Sequence, residues 1–430
     1  MGDALHLLTA TEAALRIAGG DLSATAYAEA LLARAAEREP AVRALAHLDP
    51  AAVRAQARAR DAAGGRGLLQ GVPVAFKDIM DTCDMPTAYG SAIHEGHRPR
   101  RDSSVAALTR AAGGIVFGKA VTAEFANRAP GPTTNPHDPA RTPGGSSSGS
   151  AAAVGAGMVP LALGTQTSGS VIRPASYCGV HGMKPSWGEI SYAGIQLTSA
   201  TLDTVGFYAR SVADLALLRA VLTATPFAAP SAGNIGAPRL GLCPTPFAAQ
   251  AGPCMHALLE QAGQAASRAG ATVTEAALPR HFAELADAQR WVSSYEGARS
   301  LAFEATVHRD RLSRDILEGR VRDGEACSPE LYRASARFGE RCRIELDALF
   351  ETQDALLTFA APGEAPVGLA FTGNAVFSTL WTFLHVPCVA LPLGRGPAGM
   401  PIGLQLIGPR GGDRRLLELA AWLEKAMPPA

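Results

Sequence analysis

Lysine is scarce in this sequence. Four of its 430 residues are lysines, at positions 77, 119, 184 and 425, so arginine carries most of the positive charge. Lys+Arg and Asp+Glu both total 39, which gives a formal net charge of zero. Because the chain has no excess of positive charge, it has no overall positive field that would attract nucleic acids or anionic membranes. We therefore expect no nucleic-acid partner and no membrane partner.

Paired cysteines and long apolar runs are also missing. The seven cysteines are odd in number and widely spaced and form no Cys-x-x-Cys pair, which is typical of free thiols in a reducing compartment. The N-terminal residues show no basic start followed by an apolar run, as a signal peptide would. No run of 18 apolar residues is present to span a membrane. These absences predict a cytoplasmic protein.

The composition and pattern of the chain predict a large α/β domain. Hydrophobic residues make up 47% of the sequence, enough for an extensive core. Residues 1–65 show helical spacing, and short apolar runs then alternate with helical segments, for example at residues 72–76, 115–117 and 388–393. This alternation predicts a single α/β/α sandwich with a mixed, mostly parallel β-sheet flanked by helices. We assign residues 1–430 to one domain, with a helical segment 1–65, a core 66–190 and a candidate internal linker 226–238.

A lysine at the end of an apolar run is the first candidate for chemistry. The segment GVPVAFKD places Lys77 directly after five apolar residues. Burial disfavours the charged amine and lowers its pKa from ~10.4, and a neutral amine can act as a general base. The alternative is an ion pair with the neighbouring Asp78. If both residues lie on a strand, their side chains point to opposite faces and stay apart.

A serine after a glycine-containing turn is the second candidate. In GTQTSGSVIRPA, Ser170 follows a turn whose backbone N–H groups could converge on one point. Such a nest of amides would form an oxyanion hole from the N–H groups of Thr167, Ser168, Gly169 and Ser170. The alternative is an ordinary polar turn.

Two other motifs are weaker. Residues 145–149 fit the GxSxG pattern with Ser147 as nucleophile, but that pattern needs a preceding strand, and residues 138–145 are rich in proline and glycine. Residues 113–120 resemble a phosphate-binding loop without its final Ser or Thr, so Lys119 is interpreted as structural. No His, Cys and Asp cluster has the spacing of metal ligands, and we expect no metal and no organic cofactor.

Three motifs together resemble the amidase signature family. That family typically shows GxPxxxKD, GGSSGGS and GTDTGGSIRxPA, and this chain has GVPVAFKD, GGSSSGS and GTQTSGSVIRPA. Ser146 and Ser170 are 24 residues apart, the interval typical of the family. The resemblance continues through CGVHGMKPSWGEIS at 178–191 and LPLGRGPAGMPIGLQLIG at 391–408. It covers essentially the whole chain and is weakest at residues 226–352.

The resemblance implies a serine hydrolase that needs no cofactor. Ser170 matches the nucleophile that forms the acyl-enzyme, Ser146 matches a relay serine after a cis Gly145–Ser146 peptide, and Lys77 matches the base. The implied activity is hydrolysis of a C–N amide-type bond of a small molecule, as in an amidase. Two alternatives stay open. One is the glutamine-hydrolysing subunit of a tRNA-dependent amidotransferase complex, and the other is a urea or carbamate hydrolase with the same triad.

The chain departs from the family pattern near the nucleophile. Gln166 stands where the family usually has Asp, Ile172 stands where it usually has Arg, and Ser168 replaces a glycine. These departures remove no catalytic atom but leave the substrate undetermined. We expect the substrate-binding residues to include Phe125, Asn127 and Arg128. A small-molecule substrate is the expected partner, and a homodimer is compatible with the sequence.

Overall fold

A computed structural model describes residues 4–64 and 67–428, which form one sheet of eleven strands. Along the chain these strands are β1 (Leu45–His47), β2 (Pro73–Lys77), β3 (Ile115–Ala120), β4 (Leu161–Gln166), β5 (His181–Lys184), β6 (Thr204–Ala209), β7 (Arg239–Leu242), β8 (Thr272–Glu275), β9 (Ala355–Phe359), β10 (Cys388–Arg395) and β11 (Pro401–Ile407). Their order across the sheet is β1-β3-β2-β4-β6-β5-β10-β11-β9-β7-β8.

Fourteen α-helices lie in the described part of the chain. They are α1 (Ala10–Gly19), α2 (Ala24–Val42), α3 (Pro50–Ala62), α4 (Ser104–Ala111), α5 (Ser148–Gly155), α6 (Ile172–Cys178), α7 (Val212–Leu222), α8 (Pro253–Arg268), α9 (Leu285–Ser300), α10 (Ala302–Val307), α11 (Arg322–Ala326), α12 (Pro329–Leu349), α13 (Val376–Phe383) and α14 (Asp413–Ala426). A short π-helix, Ile316–Val321, precedes α11. Local signals set several of the boundaries, such as the Ser328 side chain that accepts from the Leu331 N–H at the start of α12.

The predicted α/β fold with a mixed sheet is confirmed, but the expectation of mostly parallel pairing is corrected. β2 pairs in parallel with β3 and β4, and β7 pairs in parallel with β8 and β9. The other six strand pairs are antiparallel. The reason lies in the connections, since residues 185–203 and 396–400 form no α-helix and so provide no crossover between β5 and β6 or between β10 and β11.

The N-terminal prediction also needs one correction. α1, α2 and α3 form as the helical spacing predicts, yet strand β1 lies between α2 and α3 and pairs with β3. The predicted boundary between residues 65 and 66 lies outside the described residues. Residues 226–238 connect α7 to β7 and contain a short 3-10 turn. The assignment of residues 1–430 to one domain stays a prediction.

The sheet brings the motif segments to one edge. β2 and β4 are neighbouring parallel strands, and every residue in both is buried. Because parallel strands end at the same edge, Lys77 at the end of β2 lies near Thr165 and Gln166 at the end of β4. α5 and α6 begin close to this edge, within the second and third motifs respectively. The fold therefore places all three motifs around one point.

Candidate active site

Lys77 is fully buried among uncharged partners. Its Nζ lies 2.8 Å from Oγ of Ser146 and 2.9 Å from Oγ1 of Thr165. Burial lowers the pKa of Lys77 to about 7, and the negative charge of Asp203 opposes this only in part. At neutral pH a substantial fraction of the amine is therefore unprotonated and can accept a proton.

Asp78 does not pair with Lys77. Its carboxylate lies on the other side of the strand, 3.9 Å from Nζ of Lys119, and accepts from the N–H of Ala88. Burial raises the pKa of Asp78 to about 6. Lys119 also donates to the Thr87 hydroxyl at 2.8 Å and to the Met80 carbonyl, which agrees with its interpretation as a structural lysine.

The second motif supplies Ser146, and the next residue, Ser147, is hydrogen-bonded to strand β4. The Gly145–Ser146 peptide is cis, as the resemblance implies. The hydroxyl of Ser147 donates to the carbonyl of Thr165 and accepts from its N–H, both at 3.2 Å. Ser147 is fully buried, and no strand comes directly before it in the described chain. This geometry gives no support to Ser147 as an exposed nucleophile.

Ser170 lies in the turn between β4 and α6, and Gln166 supports that turn. The side-chain carbonyl of Gln166 accepts from the N–H groups of Val171 at 2.8 Å and Ile172 at 3.0 Å. The amide nitrogen of Gln166 donates to Thr382 Oγ1 at 2.9 Å. At the position where the family usually has Asp, an uncharged amide thus accepts hydrogen bonds from the free N–H groups at the start of α6. Ser170 itself is half-buried.

The backbone of residues 167–170 is available for an oxyanion. The four N–H groups make no backbone hydrogen bond to other described residues, which leaves them free for a ligand oxygen. Ser168 does not have a positive φ, so this position does not require glycine. The Ser168 hydroxyl and the Thr167 carbonyl both accept from Nε2 of Gln289 at 2.9 Å, which links the turn to α9.

A cavity of about 420 Å³ opens over this turn. Its lining includes Asn127, Arg128, all four residues of 167–170, Arg173, Gln289, Arg320, Phe371 and Thr372. Two of the three predicted substrate-binding residues therefore face it. The third, Phe125, is buried instead in a small apolar cluster with Leu301, Leu312, Ile316 and Val321. A cavity of this size suits a small molecule.

Comparison with known proteins identifies the family of this chain. The amidase family profile matches residues 26–417. The chain belongs to the amidase family. The predictions of this family, of the fold and of an amidase-family hydrolase are thereby confirmed.

Similar proteins include amidotransferase subunits and a peptide amidase. This amidase is 33% identical to a subunit of the glutamyl-tRNA(Gln) amidotransferase of Chloroflexus aggregans over 94% of this chain and 93% of that one. The corresponding subunit of Chloroflexus aurantiacus is 47% identical over 222 residues, 49% of this chain and about half of that relative (46%). The crystal structure of native peptide amidase from Stenotrophomonas maltophilia has a TM-score of 0.83 at 29% identity, covering 97% and 96% of the two chains.

Sequence reasoning missed several residues at this amidase site. Thr165 lies inside the third motif, in which other residues were predicted to be functional. Nothing in the motif indicates that the Thr165 hydroxyl contacts Lys77. Gln289 and Arg320 come from α9 and the π-helix, within the segment that has the weakest family pattern. Arg173 lies in the third motif, directly after Ile172, but no role was predicted for it. Strands β4, β5 and β6, which form the middle of the sheet, were not predicted either.

Two general features of the amidase concern membranes and metals. Within residues 4–64 and 67–428, no helix combines the length and apolar character that crossing a bilayer requires. The same residues contain no group of three or more His, Cys, Asp and Glu side chains that could hold a metal ion.

Proposed function

We propose that this amidase hydrolyses a C–N amide-type bond of a small molecule through a covalent intermediate on Ser170. The observation that carries the proposal is the 2.8 Å contact between the buried Lys77 amine and the Ser146 hydroxyl, beside a cavity lined by Ser170. In this proposal Ser170 is the nucleophile, Ser146 the relay and Lys77 the base. Urea-type and carbamate substrates would use the same groups.

The reaction begins when Oγ of Ser170 attacks the substrate carbonyl carbon. The Ser170 proton passes to Ser146, whose own proton passes to the neutral amine of Lys77. The N–H groups of residues 167–170 stabilise the oxyanion that forms. When the C–N bond breaks, the relay returns the proton to the leaving nitrogen. Water then attacks the acyl-Ser170 ester and the relay takes up its proton. The bond between the acyl carbon and Oγ of Ser170 breaks, the relay returns the proton to Oγ, and the acid product leaves.

Substitution of the nucleophile tests this assignment. Ser170→Ala should lower kcat by a factor on the order of 10⁴ or more, since the acyl-enzyme can no longer form. Ser147→Ala is the matched control, because Ser147 is a neighbouring motif serine whose hydroxyl binds β4 and which does not line the cavity. Peptide mass mapping after treatment with a fluorophosphonate should place the label on Ser170. Labelling of Ser147 instead, or normal turnover by Ser170→Ala, would contradict the proposal.

A role as the glutamine-hydrolysing subunit of an amidotransferase is the second candidate. It is favoured by the 33% identity to the Chloroflexus aggregans amidotransferase subunit over nearly the full length. The neutral composition and the replacement of the usual Asp and Arg by Gln166 and Ile172 favour a free-standing enzyme. The purified chain should hydrolyse amides on its own. Turnover that appears only with added partner subunits and tRNA would support the second candidate.

The location of the protein is part of the same proposal. All seven cysteines are free thiols, and five of them are buried, which suits a reducing compartment. We place the enzyme in the cytoplasm with a small-molecule amide as its partner.

A further inference from the structure

The wall of the cavity carries an excess of positive charge. Four arginines line it, namely Arg128, Arg173, Arg290 and Arg320, together with one aspartate, Asp323. Asp323 forms an ion pair with Arg290 at 2.8 Å. Among the described residues, the other three arginines have no carboxylate within 4.0 Å. Three guanidinium groups therefore face one cavity without an anionic partner.

Arg173 is the most deeply buried of the three. Its side chain donates to the Gly145 carbonyl and to Thr372 Oγ1, at 3.3 Å in the second case. Its Nε is buried and has no partner in the described chain. A buried cation that lacks full hydrogen bonding is costly, and an anion in the cavity would reduce that cost. The position of Arg173, three residues after Ser170, puts this charge beside the nucleophile.

Arg128 and Arg320 extend the charge toward the opening. Arg320 is half-buried and donates to Asn127 Oδ1 at 3.3 Å, while Arg128 is exposed at the rim. Burial and the charge of Arg128 together lower the pKa of Arg320 to about 10, against the opposing charges of nearby carboxylates, and Arg128 also acts on Arg173. Arg128 therefore lies within electrostatic reach of both inner arginines, and the three cations repel one another.

Nearby carboxylates act on Arg320 through their charge, but among the described residues none forms an ion pair with Arg128, Arg173 or Arg320. Asp203 accepts from the Thr167 hydroxyl at 2.6 Å and from the N–H of Thr198 at 2.7 Å. Glu296 accepts from Ser199 and from Tyr332, the latter at 2.8 Å. Both carboxylates therefore form hydrogen bonds that stabilise loops behind the cavity wall.

We propose that the substrate of this amidase is an amide that also carries a carboxylate, bound by Arg128, Arg173 and Arg320 while its amide carbonyl reaches Ser170. Guanidinium groups bind carboxylates through paired, charge-assisted hydrogen bonds. The bound anion would screen the three cations from one another and lower the cost of burying the charge of Arg173. This inference rests on the proposed function, since it places the reacting amide at Ser170.

Protection of Ser170 from covalent labelling tests the charge preference without knowing the natural substrate. An uncharged fluorophosphonate reports the rate of labelling, and glutarate and glutaramide compete with it at matched concentrations and ionic strength. Glutarate should slow labelling at least about tenfold more effectively than the neutral diamide, the effect expected from one charge-assisted hydrogen bond. Equal protection by the two compounds, or none by either, would overturn the inference.

Arginine variants show which residues bind the carboxylate. Arg128→Gln lies at the exposed rim and is expected to fold, and it should lose most of the selective protection by glutarate. Arg320→Gln should do the same from inside the cavity. The matched control is Arg333→Gln, an exposed arginine on α12 that pairs with Glu330 and does not line the cavity. Selective protection that persists in both cavity variants would contradict the assignment.

Turnover separates failure of this inference from failure of the proposed function. Ammonia release from glutaramate, which carries one carboxylate and one amide, should exceed release from glutaramide. If Ser170 is not labelled at all by the fluorophosphonate, the proposed nucleophile is wrong. If Ser170 is labelled but neither labelling nor turnover depends on the carboxylate, the hydrolase proposal stands and the charge inference fails.

Discussion

Two buried lysines on neighbouring strands have opposite surroundings. Lys77 ends β2 and Lys119 lies near the end of β3, and neither side chain is exposed. In the parallel register, Phe76 lies opposite Lys119 and Lys77 lies opposite Ala120. Paired residues in adjacent strands point to the same face, and neighbouring residues on one strand point to opposite faces. Lys77 and Lys119 therefore lie on opposite faces of the sheet, which separates the two amines.

The partners of each amine then decide its chemistry. Lys77 contacts the hydroxyls of Ser146 and Thr165, which are neutral. Lys119 is 3.9 Å from the carboxylate of Asp78; burial lowers its pKa to about 8, and the charge of Asp78 is the largest effect that opposes this shift, whereas the pKa of Lys77 is about 7. Burial lowers both pKa values, so burial alone does not make a base. Lys77 is distinguished by hydrogen-bond partners that are uncharged hydroxyls.

The largest effect should follow from substitution of Lys77. Lys77→Met keeps an apolar chain of similar length but removes the base, so kcat/KM should fall by a factor of about 10²–10⁴ while the protein stays folded. Lys77→Arg should be equally inactive because a guanidinium keeps its proton. Steady-state kinetics alongside thermal unfolding would measure this. Near-normal turnover by the arginine variant would mean that position 77 supplies charge rather than basicity.

Lys119→Met should have the reverse effect, on stability rather than on chemistry. Loss of the ammonium leaves the buried Asp78 carboxylate without its cation, at a cost of about 3–5 kcal/mol. The pKa of Asp78 is already raised to about 6 in the folded protein, so Asp78 takes up a proton more readily in the folded than in the unfolded chain. The stability that this raised pKa provides is present at low pH and is lost as pH rises through it. Denaturant unfolding should therefore show a larger loss at pH 8 than at pH 5.

The pH dependence of turnover should report Lys77 and not Lys119. Since the pKa of Lys77 is lowered from 10.5 to about 7, the fraction of neutral amine rises through pH 7, and kcat/KM should rise with it and then level off. Lys119→Arg keeps the cation and should leave the midpoint of this limb unchanged. A midpoint that moves with substitution at position 119 would show that the two amines are coupled through the sheet.

The smallest effect should come from the hydroxyl groups beside the two amines. Thr165→Val preserves shape but removes one neutral hydrogen bond to Lys77, so kcat/KM should fall by about five- to tenfold. Thr87→Val removes the equivalent hydroxyl beside Lys119 and is the matched control. It should lower the free energy of unfolding by about 1 kcal/mol and leave kcat/KM unchanged. Equal kinetic effects of the two variants would remove the distinction drawn between the lysines.

The catalytic candidates were predictable from sequence because they lie in motifs that require a particular backbone conformation. Lys77 follows an apolar run that forms a buried strand, and Ser170 follows a turn whose amides stay free. The contact of Lys77 with Thr165, five residues before Ser170, follows from the parallel pairing of β2 with β4. The mostly parallel sheet was a wrong prediction because the antiparallel pairing of β5 with β6 depends on a loop of residues 185–203 that has no periodic pattern.

The wall of the cavity could not be predicted in the same way. Arg320 lies on a six-residue π-helix, and its contact with Asn127 joins residues 193 positions apart. Nothing local to either sequence segment specifies that meeting, which depends on how α9 and the π-helix pack over the sheet. Phe125 was expected in the cavity because it neighbours Asn127, but its backbone turns it into an apolar cluster.

Gln166 and Ile172 make the start of α6 a coupled pair of positions. Both are fully buried, and the side-chain carbonyl of Gln166 accepts the N–H of Ile172. Gln166→Asp alone would bury an anion without a cation, and Ile172→Arg alone would bury a cation without an anion, each at a cost of several kcal/mol (about 3–5). Only the double change restores a pair. Each single change is therefore expected to be less stable than either complete arrangement, which is an epistatic barrier between the two at these positions.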